Sequence, residues 1–328
     1  MFAGGQNAST VYATVRAYNS SGTASTPSNL STKRTRVVGA GNSTHAGFWG
    51  GQTTTGTPSS SSYAPNTVEL YTSTGTKSSV LTSLRYETNN GVYVAGSDSW
   101  GCSNKNYLIF GGGLWWTYYS YYEVWGDNKA NMINNSNTVS SVSASLLTHG
   151  GAGVSTTYYA FAYGGRSKNT DTSVKSFFYA YDTSGSRVYL TAPMSVADAR
   201  GCALGNNAFY AGGLNSSVAG VANTFIADGN TETVTSLVGL SVARAPSAVI
   251  SVGENNEFAL VCGGYNGSSY YNTVDVYTAE GTKTTEYSFT MPHTGSWGAG
   301  ASTGAFGYVA GGFNGSTYYN SVKYFQLG

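Results

Sequence analysis

Phe209-Tyr210-Ala211-Gly212-Gly213, Leu260-Val261-Cys262-Gly263-Gly264 and Tyr308-Val309-Ala310-Gly311-Gly312 are three copies of one phrase: a short apolar run ending in two glycines. Four more copies precede them, Phe2-Ala3-Gly4-Gly5, Phe48-Trp49-Gly50-Gly51, Leu108-Ile109-Phe110-Gly111-Gly112 and Phe161-Ala162-Tyr163-Gly164-Gly165. First glycine to first glycine, the spacings are 46, 61, 53, 48, 51 and 48 residues. Self-similarity at a fixed period of this length marks a repeat architecture, in which each unit buries its apolar surface against its neighbours.

A second element travels with the first. After most of the glycine pairs comes Val-x-x-Tyr, usually introduced by Asn-Thr or Asn-Ser: Val15 to Tyr18, Asn66-Thr67-Val68 to Tyr71, Asn272-Thr273-Val274 to Tyr277, and Asn320-Ser321-Val322 to Phe325. The fifth repeat is weaker, reading Asn223-Thr224-Phe225-Ile226. Turns such as Thr74-Gly75-Thr76-Lys77 and Glu280-Gly281-Thr282-Lys283 follow, then a Thr/Ser-rich alternating strand. Glycine and asparagine supply the positive φ that tight hairpins need. Each repeat therefore reads as four strands. A is a small-residue run such as Arg200-Gly201-Cys202-Ala203-Leu204, B the apolar run, C the Val-x-x-Tyr segment and D the threonine-rich one. Four antiparallel strands stacked radially make a propeller blade. Crowding near the axis explains small residues in A and the bare glycines of B.

The Gly-Gly pairs and strand-C tyrosines resemble the kelch superfamily of β-propellers, and the resemblance covers the whole chain. The tryptophan that follows the tyrosine in animal kelch repeats is missing; phrases such as Leu240-Ser241-Val242-Ala243-Arg244 stand there instead. That wording is closer to kelch-like repeats of bacterial and bacteriophage proteins. The expectation is an all-β chain, one propeller domain over residues 1–328, with about seven four-stranded blades. Seven B and seven C strands are present but only about six A and six D. Either seven blades close with one lacking its inner and one its outer strand, or six full blades close and the spare terminal strands extend a sheet or pair with another subunit.

Composition narrows the function classes. Charged residues are 9% of the 328, against about 25% in an ordinary soluble protein. Aromatics at 14% and hydrophobics at 40% still provide a core, which separates the chain from disordered sequences. The net charge is +1 with no basic run, so no nucleic-acid footprint is visible. No stretch approaches the roughly 20 apolar residues of a membrane helix, and the opening Met-Phe-Ala-Gly-Gly carries no secretory signal. Three isolated cysteines, Cys102, Cys202 and Cys262, form neither a disulfide framework nor a zinc motif and read as small buried hydrophobes.

Catalytic chemistry finds no local motif. His45, His149 and His293 fall in separate repeats without a ligand-spaced partner. The copper site of the galactose-oxidase family, also on a kelch-like propeller, has no supporting motif here, nor does the sialidase Asp-box, a nucleophile elbow or a phosphate loop. The expectation is a non-enzyme with no cofactor and no metal.

The candidate recognition surface is the set of loops between strands B and C, which in propellers share one face with the D-to-A crossovers. One holds the aromatic run Trp115, Trp116, Tyr118, Tyr119, Tyr121 and Tyr122. Two others, Tyr265-Asn266-Gly267-Ser268-Ser269-Tyr270-Tyr271 and Phe313-Asn314-Gly315-Ser316-Thr317-Tyr318-Tyr319, offer Tyr270 and Tyr318. Aromatic faces beside Asn and Ser suit sugars, whose C–H faces stack while their hydroxyls hydrogen-bond, and suit protein partners equally. The recurring Tyr-Tyr-Asn phrase also reads as packing. Sequons such as Asn7-Ala8-Ser9, Asn215-Ser216-Ser217 and Asn314-Gly315-Ser316 reflect Asn/Ser-rich loops.

The leading functional expectation is a structural or adhesive component of an extracellular particle: a bacteriophage virion protein such as a tail fibre, spike or decoration module. It would bind neighbouring subunits or a cell-surface glycan, with no nucleic acid and no membrane insertion. A secreted bacterial surface lectin or filament subunit is the alternative, and a propeller enzyme a distant third.

Overall fold

The computed structural model describes residues 1–55, 65, 67–82, 99–112, 129–143, 150–166 and 174–327. The described residues form 26 strands in seven antiparallel sheets and no helix. The chain is a single seven-bladed β-propeller, so the seven-blade alternative holds.

Blade 1 contains β1 (Phe2–Ala3), β2 (Val15–Tyr18) and β3 (Ala24–Ser25), which are its B, C and D strands. Blade 2 is complete, with β4 (Val38–Gly41), β5 (His45–Trp49), β6 (Val68–Thr72) and β7 (Lys77–Leu81). Blades 3, 4 and 5 repeat that order in β8 (Trp100–Ser103) to β11 (Val139–Ser143), β12 (Ala152–Ser155) to β15 (Arg187–Tyr189), and β16 (Arg200–Leu204) to β19 (Thr233–Ser236). Blade 6 comprises β20 (Ala248–Val252), β21 (Phe258–Tyr265), β22 (Tyr270–Thr278) and β23 (Lys283–Thr284). Blade 7 has β24 (Ala299–Ser302), β25 (Gly307–Ala310) and β26 (Val322–Phe325), its A, B and C strands. Six A and six D strands result, as the repeat count requires.

The core lies between blades. Each of the first six interfaces has its own buried cluster: Val15, Phe48 and Tyr71 join blades 1 and 2, and Trp49, Leu70 and Phe110 join blades 2 and 3. Tyr163, Phe178, Tyr210 and Phe225 fill the interface of blades 4 and 5. The seventh interface closes the ring with Tyr18 of blade 1 against Tyr308 of blade 7.

The repeated glycines serve both φ and space. At Gly212-Gly213 the backbone is left-handed, with φ of 59° and 123°. A Cβ on Gly212 would overlap the carbonyl oxygen of Arg244 in the next blade's linker, and the Gly213 N–H donates to that same oxygen at 3.0 Å. Gly5 to Arg34, Gly165 to Val196 and Gly264 to Gly295 repeat the bond at 2.8–2.9 Å. The pair thus ends strand B and clamps its blade to the next one.

Candidate recognition face

Three consecutive blades carry one loop. After strand B of blades 6, 7 and 1, an asparagine (Asn266, Asn314, Asn7) begins a tight B-to-C turn. The Asn314 Oδ1 accepts from the Ser316 and Thr317 N–H groups at 3.1 and 2.8 Å, while its Nδ2 donates to the Tyr319 hydroxyl at 2.7 Å. Asn266 does the same with Ser268, Ser269 and Tyr271, and Asn7 with Ser9, Thr10 and Tyr12. Asparagine suits the place because its short amide mimics a backbone turn. These sequon asparagines are therefore turn residues whose amide nitrogens are already engaged.

The device divides the labour within each tyrosine pair. Tyr271 and Tyr319 are held by the asparagine, and Tyr319 also stacks on His293 with centroids 3.6 Å apart. The His293 Nε2 lies 3.1 Å from the Ser321 hydroxyl, and burial lowers its pKa, favouring the neutral ring. The second tyrosines are packing residues, as the recurring phrase suggested. The first ones, Tyr270 and Tyr318, bridge back to Tyr265 and Phe313. Their rings pair at 4.7 and 4.5 Å.

Trp297 joins the two pairs. It lies in the linker from blade 6 to the inner strand of blade 7, 6.5 Å from Tyr265 and 6.1 Å from Phe313, with interplanar angles of 35° and 26°. The result is one row across two blades: Tyr270, Tyr265, Trp297, Phe313, Tyr318. Trp297 is 59% exposed and Tyr318 36%. Gln6 of blade 1 donates to the Tyr318 hydroxyl at 3.4 Å, so the row's end reaches a third blade. Burial first, then the neighbouring Tyr265, raises the Tyr270 pKa, so its phenol stays a neutral donor.

Two features mark Trp297. Its backbone is left-handed at φ 57°, uncommon for a bulky residue and seen at sites where strain serves a role. Arg36 and Asp198 stand at the same place, two residues before an inner strand, with φ of 55° and 56°. The position is thus a general bulge of the fold, and this blade puts its largest side chain there.

Of the sequence candidates, Tyr270 and Tyr318 come to opposite ends of one row. Trp115, Trp116, Tyr118, Tyr119, Tyr121 and Tyr122 lie outside the described residues. Tyr265 and Phe313 open the two candidate loops but were not singled out in them, and Trp297 was not among the candidates. An isolated tryptophan in the small-residue linker Gly295-Ser296-Trp297-Gly298 was the available signal.

Several buried ionisable groups elsewhere are committed to structure. Cys102, Cys202 and Cys262 are free, buried thiols; burial raises all three, Cys202 to about 12. Glu69 is buried between Arg34 at 2.5 Å and Lys77 at 2.7 Å, and Asp275 between Arg244 at 2.9 Å and Lys283 at 2.8 Å. Among the described residues, no three His, Cys, Asp or Glu side chains gather as metal ligands would. No protein-family model matches this chain, and no curated protein matches it.

Proposed function

We propose that this propeller is a non-enzymatic adhesive and assembly protein that uses the five-ring row to bind carbohydrate. The single observation that carries this reading is Trp297, exposed and flanked by Tyr265 and Phe313 in a row that ends at Tyr270 and Tyr318. A chain of apolar ring faces bordered by loop hydroxyls and amides offers C–H stacking along its length and hydrogen bonds at its margin. Rigid, amphipathic aromatics are also what concentrates binding energy at recognition surfaces. The kelch-like repeat wording and the charge-poor, Ser/Thr/Asn/Tyr-rich composition favour placement on an extracellular particle, a bacteriophage tail fibre, spike or decoration module first among them.

The test is a glycan array with the full chain, followed by titration of the best hit against Trp297→Ala and Tyr318→Ala. Binding should weaken about ten-fold or more in each variant, the loss expected for a central aromatic anchor, with thermal unfolding unchanged. No glycan bound, or equal binding by all three proteins, would overturn the lectin reading. Mass spectrometry of purified particles that lack the chain would overturn the virion placement.

A further inference from the structure

We infer that the recognition face holds an internal stretch of an uncharged, repeating polysaccharide, four consecutive blades each presenting one copy of the same binding unit; this rests on the carbohydrate reading and narrows its glycan. The B-to-C loops of blades 5, 6, 7 and 1 all open on an asparagine whose Oδ1 caps the turn. In blade 5, Asn215 accepts from the Ser217 and Ala219 N–H groups at 2.9 and 3.1 Å, as its counterparts do in the other three. Each loop then exposes two hydroxyl residues, such as Ser268 with Ser269 in blade 6 and Ser316 with Thr317 in blade 7. Each also carries an apolar side chain at least partly open to solvent: Val218, Tyr270, Tyr318 and Tyr12.

The four copies overlap into one surface. The Gly220 N–H of blade 5 donates to the Asn266 carbonyl of blade 6 at 2.9 Å, and a Cβ on Gly267 would overlap the Val218 carbonyl oxygen. At the next junction, a Cβ on Gly315 of blade 7 would lie 3.1 Å from the Tyr270 ring of blade 6. Tyr318 of blade 7 meets Gln6 of blade 1 in the same sense. Each loop thus leans on the one that follows, and in blades 6 and 7 the glycine after the asparagine is the seat. Val218 adopts φ 59°, an outlier for a β-branched residue of the kind that persists where its surroundings hold it and that gathers at functional surfaces.

Two properties of this surface select the ligand. It repeats, so a ligand that presents the same group at regular intervals engages several units at once, and every contact after the first is intramolecular. A polysaccharide backbone does this, whereas a single terminal sugar fills one unit and gains nothing from the others. The surface is also uncharged: residues 6–12, 214–220, 265–271 and 313–319 contain no Asp, Glu, Lys, Arg or His. The nearby Arg244 is buried against Asp275. A carboxylated or sulfated chain would find no cation in these loops to offset its lost hydration. The Ser268 and Ser316 hydroxyls donate to their asparagines and keep acceptor capacity, which suits the hydroxyls of a neutral sugar.

The test is affinity electrophoresis of the full chain in gels containing dextran, galactomannan or xyloglucan, which are uncharged, or polygalacturonate or hyaluronan, which are acidic. At least one uncharged polymer should retard the chain and neither acidic one should. Oligosaccharides cut from that polymer, titrated by calorimetry, should bind about ten-fold or more tightly as they lengthen from disaccharide to hexasaccharide. Tyr270→Ala and Tyr318→Ala should each remove most of that gain, whereas Tyr318→Phe keeps the ring and should retain it, with thermal unfolding reading the fold of all three. A disaccharide bound as tightly as the hexasaccharide, acidic polymers retained as well as neutral ones, or an unchanged length dependence in both alanine variants would overturn this inference and leave the lectin reading standing. So would a short array glycan that binds while no polymer is retained. A blank array with no polymer retained would overturn both and leave the face to a protein partner.

Discussion

Tyr18 of blade 1 stacks on Tyr308 of blade 7 with ring centroids 4.8 Å apart and planes 27° apart, and the Tyr308 hydroxyl donates to the Asn19 carbonyl at 3.3 Å. Phe2 meets Tyr18 edge-on at 6.2 Å and Phe306 lies 6.1 Å from Tyr308, so four rings fill the seam. Among the described residues no strand is shared across it, unlike propellers that close by completing one blade from both termini. Ring packing, with the Tyr308 and Gln6 hydrogen bonds, joins the two blades here. Tyr308→Ala should therefore destabilise the chain by about 3–5 kcal/mol, the range for emptying a buried aromatic site. Tyr308→Phe removes only the hydroxyl and should change stability by about 1 kcal/mol. Urea denaturation of both variants checks the difference.

This seam shows what the sequence could and could not reveal. The repeats were legible because most B strands end on the same left-handed glycines and strand C of blades 2, 4 and 6 carries the same buried tyrosine, so the constraint recurs along the chain. Pairing across the seam occurs once, between Tyr18 and Tyr308, 290 positions apart in the chain, with no second copy to expose it. Trp297 was missed for the same reason. Its neighbours Tyr265 and Phe313 come from two different blades, and only ring geometry brings the three together. Tyr270 and Tyr318 could be picked out because their loops repeat.

The buried ion groups recur in blades 2 and 6, and their pH response has a defined sign. Burial by itself would raise the Glu69 carboxyl, but hydrogen bonds from Lys77 and Ser31 and the charge of Arg34 hold it below its usual value. Asp275 is treated alike by burial, Lys283, Ser241 and Arg244. Because the folded chain favours the ionised form, both carboxylates add stability that is fully present above about pH 5. That stability is lost as pH falls below the ordinary carboxylate range, through the lowered folded values. Thermal unfolding from pH 7 to 2 should show a plateau and then a decline. Arg244→Met leaves a buried carboxylate short of a partner and should cost about 3–5 kcal/mol, whereas Arg244→Met combined with Asp275→Leu should cost less than the two changes added.

Packing at the axis sets a steric limit. The second residue of an inner strand is glycine in five of six cases: Gly39, Gly101, Gly153, Gly201 and Gly300. A Cβ on Gly153 would overlap the carbonyl oxygen of Gly101 in the neighbouring inner strand. Gly153→Ala should destabilise by about 1–3 kcal/mol or more, as overpacking does. Gly205 is the control: φ is 56°, but nothing lies within 4 Å of its added Cβ. Gly205→Ala carries only the left-handed penalty, roughly 1–2 kcal/mol, so crystal structures of the two variants should show inner-strand displacement in the first alone.

The asparagine loops separate acceptor from donor in one side chain. Asn314→Asp keeps the oxygen that receives the Ser316 and Thr317 N–H groups but removes the amide donor to the Tyr319 hydroxyl. The hydroxyl can turn and donate to the new carboxylate, so the expected loss is within about 1 kcal/mol. Asn314→Ala leaves two N–H groups and a hydroxyl without this partner, and water replaces it at a loop surface, giving about 0.5–1.5 kcal/mol per bond lost. Hydrogen exchange at Ser316 and Thr317 should therefore accelerate strongly in Asn314→Ala and little in Asn314→Asp. Because Tyr318 directly follows these residues, the same order should appear in binding at the aromatic row. Equal exchange in both variants would mean that strand pairing, not the asparagine, holds the loop.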